Sequence, residues 1–72
     1  DVREPAEFET FSLPNSINIP LATLSNELHQ FDQNQEIVVL CSLGRRSFMA
    51  AQLMQQSGFK QVCSLEKGLS NW

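Results

Sequence analysis

The chain is 72 residues and 8.1 kDa, 42% hydrophobic and 18% charged, with a formal charge of −3. That composition predicts one small packed domain with a thin core and excludes a disordered tail. Four bases in the second half and an acidic total exclude a nucleic-acid footprint. No run approaches the roughly 18 apolar residues of a membrane span, so neither membrane nor nucleic acid is expected as a partner. Asp1-Val2-Arg3-Glu4-Pro5 has no signal-peptide pattern, and two cysteines form no disulfide framework, so a reducing, cytoplasmic setting is expected. With His29 the only histidine, a zinc site would need carboxylates to complete it, and no metal or cofactor is expected.

The elements alternate. Asp1-Val2-Arg3 reads as the end of a strand, which predicts a domain cut short at its N-terminus. Pro5 suits the first turn of a short helix, with Glu4, Glu7 and Glu9 favourable near its positive end. Ser12-Leu13-Pro14-Asn15-Ser16 is turn chemistry, and Ile17-Asn18-Ile19 alternates as a short half-buried strand. Leu21, Leu24, Leu28 and Phe31 form one stripe of an amphipathic helix. Ile37-Val38-Val39-Leu40 is a continuous apolar run, predicting a strand buried on both faces. A helix follows from Ser47 to Ser57, with Ala50, Leu53 and Met54 on one side, Gly58 as its C-terminal stop and Phe59 as the accompanying contact. Val62-Cys63-Ser64-Leu65 is a last strand, in which Cys63 reads as an inert core residue, and Gly68 opens a turn towards Trp72. This order predicts an α/β domain, residues 1–72, with a mainly parallel central sheet flanked by helices.

In such sheets function collects at the carboxyl ends of strands. Cys41-Ser42-Leu43-Gly44-Arg45-Arg46-Ser47 joins the most apolar strand to the longest helix. Successive N–H groups in such a loop can turn inward as an anion-binding nest, and the helix start adds further donors. Gly44 supplies the left-handed position, and Arg45 and Arg46 add positive charge. Each of these favours thiolate over thiol at Cys41, and the thiolate is the nucleophile. The charge distribution singles out the same segment: residues 1–36 carry seven acids against Arg3 alone, while residues 37–72 carry Glu66 against Arg45, Arg46, Lys60 and Lys67.

With these residues in view the chain resembles the rhodanese family from end to end. The resemblance rests on Asp1-Val2-Arg3-Glu4-Pro5, on Leu13-Pro14-Asn15-Ser16-Ile17-Asn18-Ile19-Pro20, on Gly68 to Trp72, and on the loop, which fits Cys-x-x-Gly-x-Arg-Ser at all four fixed positions. It implies sulfur transfer without a cofactor. Cys41 would take a sulfane sulfur from thiosulfate or another persulfide donor, and pass it to cyanide, a thiol or a sulfur-carrier protein. The amides of Ser42, Leu43, Gly44, Arg45, Arg46 and Ser47 would cradle the persulfide, Arg46 would help hold an anionic donor, and Asp1 and Arg3 would support the loop. Phe11-Ser12 stands where many members carry Gly-His, Asn15-Ser16 where Gly-Ala is common, and Lys67 where a first glycine is frequent. Two alternatives are kept. Rhodanese-like modules also serve as non-catalytic binding units, usually when the cysteine is lost. Phosphatases with Cys-x5-Arg, and arsenate reductases, use a loop whose arginine would fall at position 47, which is Ser47 here.

Overall fold

The structure, a computed structural model, describes residues 1–71, so Trp72 of the closing motif lies outside the described residues. Two parallel strands, β1 (Glu36–Val39) and β2 (Gln61–Ser64), pair from Glu36↔Gln61 to Val39↔Ser64. The crossover between them is α3 (Arg45–Gln56), which packs against both. A parallel pair needs such a crossover, and this one brings the carboxyl end of β1 directly to the start of α3. Two shorter α-helices precede the sheet, α1 (Pro5–Thr10) and α2 (Leu24–Glu27).

Helix α3 is made and stopped by its own sequence. Ala50, Ala51 and Met54 are buried on one side with Leu53 half-buried, while Phe48, Met49 and Gln52 face out. At its end the Phe59 amide donates to the Met54 carbonyl (3.0 Å) and the Gly58 amide to the Gln55 carbonyl (3.1 Å). That double closure is a Schellman cap, and the buried Phe59 joins Met54 in the core as its hydrophobic contact.

Four sequence expectations change. The stretches Asp1–Arg3 and Ile17–Ile19 are extended, but neither forms a strand. Val2 donates to the Leu40 carbonyl (3.0 Å), Ile19 to that of Asp1 (2.9 Å), Leu21 to that of Val2 (3.1 Å) and the terminal amine of Asp1 to that of Ile17 (2.9 Å), so the two stretches are tied to each other and to the chain just past β1 without becoming strands of the sheet. The apolar stripe of residues 21–31 does face the core, yet its backbone is a 3₁₀ turn (Leu21–Thr23), one α-turn (α2) and a second 3₁₀ turn (Leu28–Gln30). Residues three and four apart share a face in either helix type, so the stripe does not decide between them. Strand β1 is buried on one face only: Val39 is 4% exposed and Val38 53%. Its register partner Cys63 lies on the same outer face and is exposed, which corrects the core reading of that cysteine. Alternation along a strand sends Val62 and Ser64 inward and leaves Cys63 out.

The remaining core is small and continuous. Val2, Leu24, Val39, Cys41, Ala50, Met54 and Phe59 form one cluster, so the sulfur of the loop sits at the edge of the hydrophobic centre.

Candidate active site: the Cys41 loop

Cys41 follows the last buried residues of β1 and is itself only 1% exposed. Its sulfur accepts hydrogen bonds from the Gly44 amide at 3.0 Å and the Ser47 amide at 3.3 Å. The Ser47 hydroxyl lies 3.5 Å away. Two backbone requirements make this possible. Gly44 caps α3 with φ +94°, turning the chain so that its own amide meets the sulfur it has just left. Gly68 presses against the outside of the loop. A Cβ there would stand 2.3 Å from the Cys41 carbonyl oxygen, closer than any side chain tolerates.

That close approach settles where the loop's carbonyls go. The Leu69 amide donates to the Cys41 carbonyl (2.8 Å) and the Ser70 amide to that of Ser42 (3.0 Å). With those carbonyls satisfied from outside, amides further along the loop point to the sulfur. The result is an anion nest at the start of a twelve-residue helix. Burial pushes the Cys41 thiol up, but the Ser47 hydroxyl and the amides of Ser47, Gly44 and Leu43 outweigh it, and the thiol lies below its ordinary range.

Ser47 is wholly buried. Its hydroxyl reaches the Gly44 carbonyl (3.1 Å) and the Ser64 hydroxyl at the end of β2 (2.7 Å). It has one proton, which it can give to the Gly44 carbonyl while Cys41 is a thiol and to the sulfur once Cys41 ionises. Ser64 can supply a proton to Ser47 in the second state. Ser64 carries no motif and was not among the residues expected at the site.

The other loop residues divide by place. Leu43 and Arg45 are exposed at the rim. The Ser42 hydroxyl donates to the Glu7 carboxylate at 3.1 Å. Arg46 forms a bidentate pair with the same carboxylate, at 2.7 and 3.1 Å. Glu7 also accepts from the Glu4 amide (3.0 Å). The Arg46 hydrogen bond is the largest cause, and the Glu4 and Ser42 bonds add to it, in holding Glu7 down to about 2. Sequence reasoning placed Glu7 only as a partner of the α1 dipole. No local signal marks it for more, since its partner Arg46 lies 39 residues along the chain.

Asp1 and Arg3 stand behind this pair. The Arg3 guanidinium meets the Asp1 carboxylate at 2.7 Å, with side chains 6% and 0% exposed, and donates to the Phe11 carbonyl at 2.6 Å and that of Glu7 at 3.4 Å. It thereby satisfies carbonyls at the end of α1 and fixes the helix that presents Glu7. A groove of about 860 Å³ runs beside the loop, lined by Leu43, Arg45, Phe48, Met49, Cys63 and Lys67 among others. Cys41 does not line it, so its distinction rests on donor geometry rather than on cavity volume.

A parallel α/β crossover with a cysteine nested at its strand–helix turn defines a class of thiolate sites. The whole chain, residues 1–72, matches the description "Rhodanese-like domain", and it belongs to that family. Over all 72 residues it is 39% identical to YrkF of Bacillus subtilis (strain 168), which is named as a candidate sulfur carrier protein, and it spans 39% of that protein's length. It is 26% identical over the same span to a protein of Allochromatium vinosum named "Sulfurtransferase", covering 67% of it. The crystal structure of a rhodanese-related protein from Thermoplasma volcanium superposes with a TM-score of 0.90 at 34% identity, over 99% of this chain and 70% of that one. These likenesses agree with the parallel α/β architecture read from the sequence.

Proposed function

We propose that the chain is a sulfurtransferase module with Cys41 as its nucleophile. The observation that carries this is the surroundings of one buried sulfur: it accepts from two amides at 3.0 and 3.3 Å and lies 3.5 Å from the Ser47 hydroxyl, which can donate to it once Cys41 ionises. A nest of that kind stabilises a sulfur anion whether it is the thiolate or a persulfide one atom longer. The Cys41 thiolate attacks the outer sulfur of thiosulfate or of another persulfide donor. A new S–S bond forms, the donor's S–S bond breaks, and its electron pair leaves with sulfite or with the donor thiolate. In the second half a thiol, cyanide or a sulfur-carrier protein attacks the outer sulfur, and the Cys41 thiolate departs with the electron pair.

Ser42 to Ser47 form the persulfide-binding loop in this reading, Ser47 donates to the charged sulfur, and Asp1 and Arg3 support the loop through α1. The names of the relatives favour a sulfur-handling role, as carrier or as transferase. Both roles load Cys41, and they differ in whether the sulfur is released repeatedly.

Incubation with thiosulfate is expected to add one sulfur atom to Cys41, detected by mass, and cyanide is expected to remove it as thiocyanate over many turnovers. Cys41→Ser is expected to abolish the addition. Loading with a single release to a protein thiol and no turnover would favour the carrier. Loading that persists in Cys41→Ser would remove Cys41 from the chemistry.

A further inference from the structure

Arg46 is the loop cation best placed to grip an anionic donor, yet both ends of its guanidinium fork are already occupied. The Glu7 carboxylate holds it at 2.7 and 3.1 Å, and is itself held by the Ser42 hydroxyl and the Glu4 amide. The helix that carries Glu7, α1, is tied at the far end by Arg3, whose own charge is satisfied by buried Asp1. The pair stands at the surface, with side chains 35% and 37% exposed, where dissolved reagents meet it. An oxyanion that needs the bidentate fork must first displace Glu7. From any greater distance the two charges cancel, and an approaching anion gains little from Arg46.

We propose that Glu7 is a specificity-determining residue that cancels the charge of Arg46 at the mouth of the Cys41 loop, so that the site favours sulfane sulfur carried on simple thiol persulfides, monoanions at most, over dianionic donors such as thiosulfate. The donor part of this claim rests on the sulfur-transfer reading; the charge part does not. The effect works on the approach of the donor. The thiolate itself is made by the amides and Ser47, which do not touch Glu7.

The charge claim is tested by alkylating Cys41 with anionic iodoacetate and neutral iodoacetamide at one pH, in a Cys63→Ser background. The ratio of the two rates cancels the thiolate fraction and reads the potential at the sulfur. Glu7→Gln is expected to raise the ratio about three- to fivefold, the order of one screened surface charge within a Debye length. Glu7→Asp is expected to stay close to the parent. An unchanged ratio in Glu7→Gln would overturn the proposal. If Glu7→Gln does not fold, an Arg45→Gln variant, which removes the second rim cation, decides: between roughly 0.01 and 0.15 M salt its ratio is expected to change less than twofold, and a steeper fall would reveal an uncancelled Arg46 and overturn the proposal. Turnover then separates the two readings. A protein that turns over no sulfane donor fails as a sulfurtransferase while the alkylation ratio still stands. Turnover that favours thiosulfate over a simple alkyl persulfide, a monoanion at most, with the ratio as expected, would overturn the donor preference alone.

Discussion

Cys41 and Cys63 belong to the same two-stranded sheet and live in opposite surroundings. Cys63 pairs in register with Val38 on the uncovered face, exposed and within a regular strand. Cys41 lies just past the other strand, nearly closed off from solvent, with amide hydrogens aimed at its sulfur. Exposure alone would rank Cys63 as the reactive thiol. Stabilisation of the anion ranks Cys41 first, because the thiolate reacts and the thiol does not. The contrast shows what the fold supplies: a strand end, a left-handed glycine and a helix start convert a buried core residue into an anion site.

The most disruptive way to erase that contrast is Gly68→Ala. Its methyl group would meet the carbonyls of Cys41 and Ser42 at 2.3–2.5 Å, and φ +63° adds strain for a side chain. The turn must move, and the loop carbonyls lose their external donors. We expect a loss of about 3 kcal/mol or more in urea unfolding, in the class of changes that force backbone apart. Cys41 should lose its distinct alkylation profile while Cys63 keeps its own. A folded variant with an unaltered Cys41 profile would show that the Gly68 contact does not hold the nest.

Ser47→Ala attacks the sulfur's environment with less damage to the chain. In a Cys63→Ser background the pH midpoint for Cys41 alkylation should lie below that of an ordinary cysteine thiol. Removing the hydroxyl should raise it, since the Ser47 hydroxyl is a leading cause of the lowered Cys41 titration. Ser64→Ala should move the midpoint the same way by less, because Ser64 acts only through Ser47. Should Ser64→Ala match or exceed Ser47→Ala, the direction of that chain is wrong.

The same contrast marks what could be read from the sequence. The loop from Cys41 to Ser47 was legible because its parts are adjacent: cysteine, glycine, arginines and helix start fall within seven residues. Helix α3 and its cap were legible for the same reason. Glu7 and Ser64 were not, since they reach the loop from 39 and 17 residues away through side chains that suit any solvated helix or strand end. Cys63 was misplaced because a four-residue strand looks alike whether one face or both are covered. Sequence separation, rather than chemical subtlety, divided the readable half of the site from the rest.

The smallest expected effect sharpens the comparison at its rim. Glu7 is held at about 2, against about 4.5 without its partners, chiefly by Arg46. A carboxylate with a depressed folded-state pKa binds fewer protons folded than unfolded, so its contribution is fully present above about pH 4.5 and is lost as pH falls towards 2. The Glu7 side chain is 37% exposed, and solvent and salt screen the pair, which keeps it within the ~0–1 kcal/mol of surface ion pairs. Thermal unfolding of Glu7→Gln should therefore show its largest deficit near neutral pH and in low salt, and none near pH 2. A deficit that stayed constant down to pH 2 would mean that Glu7 holds the loop by shape and hydrogen bonding, with its charge incidental to stability. The charge would then act on approaching reagents alone, and the Cys41 nest would stand without help from the ion pair beside it.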